Sequence, residues 1–139
     1  DGIQDPSEPG VAGITVQLWN ADKTSLIDST STNGSGIYSL IAPLPGDYRV
    51  RVVPFTGSSF TDKNQGADDT RDSDINDSIF SLNYGFTDII TIASNVISIS
   101  SIDAGLSTVG ATPTATPTRT PTQPIDYSNQ IYLPLVTNH

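Results

Sequence analysis

Residues 11–19 read Val11-Ala-Gly-Ile-Thr-Val-Gln-Leu-Trp19. Ile14, Val16 and Leu18 recur at every second position, with Thr15 and Gln17 between them. A helix would scatter those three side chains around its axis, whereas a strand sets them on one face. The segment therefore reads as a half-buried β-strand, and the sequence on its C-terminal side repeats the pattern.

Asn20-Ala-Asp-Lys23 turns the chain, and residues 25–32 are Ser/Thr-rich and β-branched, as in a strand. Thr32-Asn-Gly-Ser-Gly36 is a turn, because Asn and Gly tolerate positive φ. Residues 37–41 read as another strand, and Leu44-Pro-Gly-Asp47 as a second tight turn. Tyr48, Val50 and Val52 alternate with Arg49, Arg51 and Val53 until Pro54 stops that strand. Residues 78–82 and 89–102 supply the later strands. No ten-residue stretch carries a helical stripe. Short strands with regular turn signals predict an all-β sandwich of about seven strands.

The chain has 139 residues and a formal net charge of -9, from 15 acidic and 6 basic side chains. That balance excludes nucleic acid, whose phosphates need Lys and Arg to displace counterions, and it disfavours anionic membrane surfaces. Divalent cations fit it better. Glu8 is the only Glu, and the short Asp side chains that make up the rest suit tight metal loops and turns. There is no Cys, so disulfides are excluded, and no Met, so the chain is expected to begin after processing or part way along a longer chain. No run is long and apolar enough to span a bilayer.

From Ser107 the pattern breaks. Residues 111–124 read Ala-Thr-Pro-Thr-Ala-Thr-Pro-Thr-Arg-Thr-Pro-Thr-Gln-Pro. Proline at this density favours an extended polyproline-like spacer. In an exported chain, Thr112, Thr114, Thr116, Thr118, Thr120 and Thr122 are candidate acceptors of O-linked sugar. Such spacers are common in extracellular stalks, which points to secretion and the cell surface. The organisation expected is a β-domain over residues 1–106, a linker over 107–128 and a terminal strand or tail over 129–139.

Residues 1–8 read Asp-Gly-Ile-Gln-Asp-Pro-Ser-Glu. In a helix-loop-helix calcium loop, ligands fall at positions 1, 3, 5, 7, 9 and 12, with Gly at 6. With Asp1 at position 5, Gly2 takes the turn position and Ile3 offers its carbonyl at position 7. Asp5 then falls at 9, and Glu8 at 12. This is half a calcium loop. Residues 67–77 add a second acidic cluster, Ala-Asp-Asp-Thr-Arg-Asp-Ser-Asp-Ile-Asn-Asp. Asp68, Asp69, Asp72, Asp74 and Asp77 would repel one another in a folded loop, and a hard cation with six to eight oxygen ligands relieves that repulsion. A solvated flexible loop is the simpler alternative for the second cluster taken alone.

Together these segments resemble the B-type domains of the serine-aspartate-repeat surface adhesins, relatives of collagen-adhesin B-type domains. The resemblance runs through Asp1-Gly-Ile-Gln-Asp5 with Glu8-Pro-Gly10, residues 11–18, Gly36-Ile-Tyr-Ser-Leu40, and Leu44-Pro-Gly-Asp-Tyr-Arg-Val50. It continues through residues 64–74 and the closing Asp103-Ala-Gly-Leu106. It implies a prealbumin-like Greek-key sandwich, with structural calcium, that acts as a rigid spacer. By motif match, Asp1, Ile3 (backbone), Asp5 and Glu8 would form a first calcium site. Asp69, Asp72 and Asp74 would be ligands from the later loop, and Asp103 takes a role that varies in the family. Two departures follow. Members usually begin with an apolar strand and an Asp-x-Asn ahead of the position held by Asp1, and that strand is absent here. Some relatives close a Lys–Asn isopeptide bond near a buried acid. Here Lys23 and Lys63 are the only lysines and Glu8 belongs to the loop, so an isopeptide is not expected.

A sandwich without its first strand has an open edge. Residues 129–136, Asn-Gln-Ile-Tyr-Leu-Pro-Leu-Val, are a spare apolar strand with Ile131, Leu133 and Leu135 on one face, Tyr132 and Val136 on the other, and Pro134 suited to an edge. The linker's fourteen residues at about 3.1 Å each span roughly 40 Å, against about 35 Å for the width of such a domain. The tail can therefore reach a neighbouring copy, and head-to-tail donation would build a homopolymer. It also resembles the Tyr-Leu-Pro-Leu-Val ends found behind Thr/Pro linkers in exported proteins of some filamentous bacteria, which implies a sorting or anchoring signal. An intramolecular strand is the third reading.

Catalytic groups are scarce. The one His is residue 139, so a nucleophile–His relay is not expected, and zinc chemistry lacks its usual ligands. A ligand- or carbohydrate-binding adhesin is the alternative to a structural module, with Trp19, Tyr38, Tyr48 and Phe55 as the sugar platform. Packing of those rings in or around the core is the competing reading.

Overall fold

The alternation around Val16 becomes strand β1, Thr15–Asn20, in which Val16 and Leu18 are buried while Gln17 and Trp19 lie on the other face. A computed structural model of the chain describes residues 3, 4, 6, 8–65, 67, 68, 70–93, 102–108 and, as backbone, 130–134. Among these the strands are β1, β2 (Leu26–Ser31), β3 (Gly46–Val53), β4 (Ser58–Phe60), β5 (Ile90–Ile92), β6 (Asp103–Thr108) and β7 (Gln130–Pro134).

They form a four-stranded sheet in the order β2-β1-β3-β5 and a three-stranded sheet in the order β4-β6-β7. All the pairings are antiparallel, with Val16 opposite Val52 and Leu18 opposite Val50. Because the side-chain period is two, this register sends Tyr48, Val50 and Val52 to the same inner face as Val16 and Leu18. Phe60 of β4 with Ala104 and Leu106 of β6 join them in one buried cluster, so the core lies between the two sheets of a β-sandwich.

The polar ends are pinned by side chains. Thr32 accepts from Ile14 N at 2.9 Å and donates to the Val11 carbonyl at 2.5 Å. Thr87 accepts from Val50 N at 3.0 Å. Gly10 has no space for a side chain, because a Cβ would lie 2.0 Å from the Ser35 carbonyl oxygen. The stretch leading into β1 is thereby pressed onto the 33–36 turn. Gly36 in that turn has φ 77°, as its sequence requires.

Two expected strands differ. Residues 37–41 keep their alternation, with Tyr38 and Leu40 buried and Ile37 and Ile41 exposed, but they form no extended ladder. Pro43 and Pro45 deny donors to a continuing strand, and the Asp28 carboxylate takes the Ile41 N–H at 2.7 Å. Residues 78–82 form turns instead of a strand. Ser81 N donates to Ser78 O at 2.8 Å, and the Asn76 and Ser81 side chains accept from Ser78 N and Asn83 N. Short polar side chains there satisfy the backbone locally and outcompete a ladder. Of the long strand expected over 89–102, only Ile90–Ile92 is seen, and residues 94–101 lie outside the described part.

The terminal strand is present. β7 pairs with β6 of its own chain, from Asp103 opposite Pro134 to Ser107 opposite Gln130. Pro134 thus sits at the last position of an edge strand, where its missing N–H is tolerated. Ile131, Tyr132 and Leu133 lie within this strand, whereas Leu135, Val136 and the threonines from Thr112 to Thr122 fall outside the described residues.

Candidate metal centre

The residues before β1 form an arm laid along the acidic loop. Gln4 N donates to the Arg71 carbonyl at 2.7 Å, and Arg71 Nη2 returns a hydrogen bond to the Gln4 carbonyl. Ile3 forms an antiparallel bridge with Asp72. Ile3 and Gln4 of the N-terminal half motif are thus neighbours of Arg71 and Asp72 in the acidic cluster some seventy residues later.

The loop then runs inward. Ser73 is wholly buried; its carbonyl accepts from Asn64 N at 2.9 Å and its hydroxyl accepts from Gly105 N at 3.2 Å. Asp74 N donates to the Asp103 carbonyl at 2.9 Å, and Asp103 N donates to Asp74 Oδ2 at 2.6 Å. The loop is therefore sewn to the start of β6, and Asp74 and Asp103 are brought together. Asp103 is 2% exposed and Asp72 6%, which is rare for carboxylates. Tyr38 lies close by: burial first, then the charges of Asp103 and Asp74, pushes its phenol well above the ordinary range.

Every donor this arrangement offers is oxygen, from carboxylates and main-chain carbonyls, which is the set a hard divalent cation takes and a soft metal does not. Of the residues expected to hold calcium, Ile3 is bridged to Asp72, Asp74 is hydrogen-bonded to Asp103, and Glu8 is half-buried before β1. Asp1, Asp5 and Asp69 lie outside the described residues. Among the described residues, no three acidic or histidine side chains approach closely enough to hold an ion by themselves.

Sequence reasoning missed Arg71 and did not set Asp68 apart. Arg71 was lost among the acids around it, yet its guanidinium fastens the arm. Asp68 looked like a ligand neighbour, but hydrogen bonds from the Thr70 hydroxyl at 2.6 Å and the Thr70 N–H at 3.1 Å hold its carboxyl below its ordinary pKa. The Asp-x-Thr spacing is a turn signal and could have separated Asp68 from the rest. The aromatic platform does not assemble. Tyr38 and Tyr48 are in the core, and Trp19 meets Phe86 edge-on at 72°.

A two-sheet antiparallel sandwich with Ile3 and Gln4 held on an Asp-rich loop is a β-sandwich module. The family profile for the SdrD B-like domain matches residues 1–106, and the chain belongs to that extracellular family. It is 40% identical over 75 residues to colossin-B of Dictyostelium discoideum, 52% of this chain and 2% of that protein. It is 36% identical over 73 residues to serine-aspartate repeat-containing protein F of Staphylococcus epidermidis, 52% of this chain and 4% of that protein. It is also 36% identical over 74 residues to serine-aspartate repeat-containing protein C of Staphylococcus aureus strain MRSA252, 53% of this chain and 8% of that protein. The chain thus spans a small fraction of the length of these relatives.

Proposed function

We propose that this chain is a non-enzymatic spacer of a bacterial cell-surface stalk or filament, stiffened by calcium and able to join neighbouring copies through its C-terminal strand. One observation carries the calcium reading. The bridge sets Ile3 of the N-terminal half motif against a loop that buries Asp72 and abuts the buried Asp103. The carboxylates of Asp72, Asp74 and Asp103 and the carbonyl of Ile3 are hard oxygen donors, the kind a divalent calcium ion takes. Loops locked in this way make a sandwich stiff along its length.

The test is a calorimetric titration of the full chain with calcium. Saturable binding is expected, and Asp72→Asn weakens it at least tenfold. Absence of binding in the wild type rejects the calcium reading.

Joining of copies is favoured by the length of chain between the last two strands. β6 ends at Thr108 and β7 begins at Gln130, yet paired antiparallel neighbours need only a two-residue connection. The intervening residues 109–129 can therefore carry β7 to the same edge of a second copy, because exchange replaces one set of contacts with an identical set. Oligomers that lengthen with protein concentration are expected in sedimentation and electron microscopy. A chain lacking residues 129–139 stays monomeric. Filaments formed by that truncated chain reject strand exchange and leave the calcium reading untouched.

A further inference from the structure

We propose that the outer face of the four-stranded sheet is a docking surface for an extended acidic peptide with a carboxylate at every second residue. The chain carries net charge -9, yet Lys23, Arg49 and Arg51, three of its six basic residues, gather on this face. Register places Arg49 opposite Trp19 and Arg51 opposite Gln17, and Arg51 is bridged on its other side to Phe86. Arg51 Cζ lies 5.5 Å and Lys23 Nζ 5.4 Å from the Phe86 ring centroid, and Trp19 packs edge-on to that ring at 6.2 Å.

Among the described residues, no carboxylate of the chain pairs with these cations; the one ion pair is Lys63–Asp88. Asp22 and Asp47 flank them, each hydrogen-bonded to a threonine. Asp22 accepts from Thr24 N and Oγ1 at 3.2 and 2.7 Å, and Asp47, next in the row of β3, accepts from the Thr91 hydroxyl at 2.7 Å. Arg49 is fixed by bonds to the Ala21 and Thr87 carbonyls, and Lys23 by Leu82 O and Asn83 Oδ1. Arg51 makes no side-chain hydrogen bond among the described residues. Its planar fork, with Cζ 5.5 Å from the Phe86 ring centroid, suits bidentate capture of a carboxylate.

Spacing selects the occupant. Arg49 and Arg51 stand two residues apart on one strand, about 6.6–6.8 Å. An extended peptide repeats its side chains at the same interval, so alternate acids meet both guanidiniums. A stacked sugar is disfavoured by the edge-on rings. None of these residues belongs to the acidic loop, so the inference stands apart from the calcium reading.

Trp19 is the chain's single tryptophan and reports on the face directly. The full chain is titrated with a blocked peptide of alternating Asp and Ser while Trp19 emission is followed. A saturable change is expected, at least tenfold weaker for Arg51→Glu and for a peptide of equal composition with its acids in one block. Arg51→Gln serves if the charge reversal perturbs folding, and the two-peptide comparison needs no variant. No saturable response up to about 1 mM peptide overturns the proposal. So does equal binding of the two peptides, unchanged binding by the Arg51 variants, or tighter binding of polygalacturonate.

Discussion

Chelation of calcium is expected to lower the melting temperature of the chain by about 11–22 °C. The figure follows from mass action at a site that binds only the folded loop. Asp72 and Asp103 are 6% and 2% exposed, and Asp74 is bonded to the main chain of Asp103, so negative charge is concentrated where water cannot screen it. An ion present at about 100 times its dissociation constant adds about 2.7 kcal/mol to the folded state. In a domain of this size each kcal/mol moves the midpoint by about 4–8 °C. The assay is a circular-dichroism melt with excess calcium and again with EDTA, with a magnesium arm to separate a specific site from general screening. Midpoints that agree within about 2 °C would refute the reasoning, because an ion bound only by the folded chain must raise its midpoint.

Gly10→Ala places a Cβ 2.0 Å from Ser35 O and 2.2 Å from Ser35 C, main-chain atoms that cannot swing aside. A loss of at least about 1–3 kcal/mol is expected in urea denaturation. A neutral result would mean that the 33–36 turn is not pressed against this stretch. Tyr38 sets an alkaline limit. The unfolded phenol ionises near 10.0 and the folded one well above it, so stability is intact below pH 10 and falls above it by about 1.4 kcal/mol per pH unit. Urea midpoints followed through that range should show the fall, and Tyr38→Phe should reduce its slope.

The sandwich was legible because β1 and β3 obey the two-residue period without interruption. Val16, Leu18, Val50 and Val52 are both the residues that mark it and the residues that fill the core. The period fails as a guide where side chains bond their own backbone. Residues 78–82 hold Ile79, Phe80 and Leu82 and look strand-like, yet serines and asparagines curl them into turns and leave those three apolar side chains exposed. The acidic loop was legible as a cluster, and its partnership with the N-terminal arm followed from the ordered motifs. The depth of Asp103 was not, since one Asp at a strand start gives no sign of lying behind Asp74. Nor was the role of Arg71, whose bonds run to a main-chain carbonyl that no composition reveals. The partner of the last strand is a further case. Its apolar alternation announced a strand, but pairing within or between chains depends on concentration and linker length and not on local pattern.

These contacts bear on how a spacer carries load. Tension applied through the N-terminus reaches the sandwich through the arm, which is joined to the loop by the Ile3–Asp72 bridge and the two bonds between Gln4 and Arg71. A short ladder pulled from its end opens one bond at a time, and each net bond is worth only about 1 kcal/mol. β6 is placed differently, flanked by β4 and β7 and sewn to Asp74 at its start, so it must shear several bonds at once. Among the described residues, the bonds of the arm thus open in series, and the half motif expected to bind calcium lies in the same stretch. An ion held by both the arm and the loop would turn serial peeling into a single concerted rupture. Stretching one module with and without EDTA should then move the first opening event to lower force while leaving the unfolding of the β6 sheet unchanged.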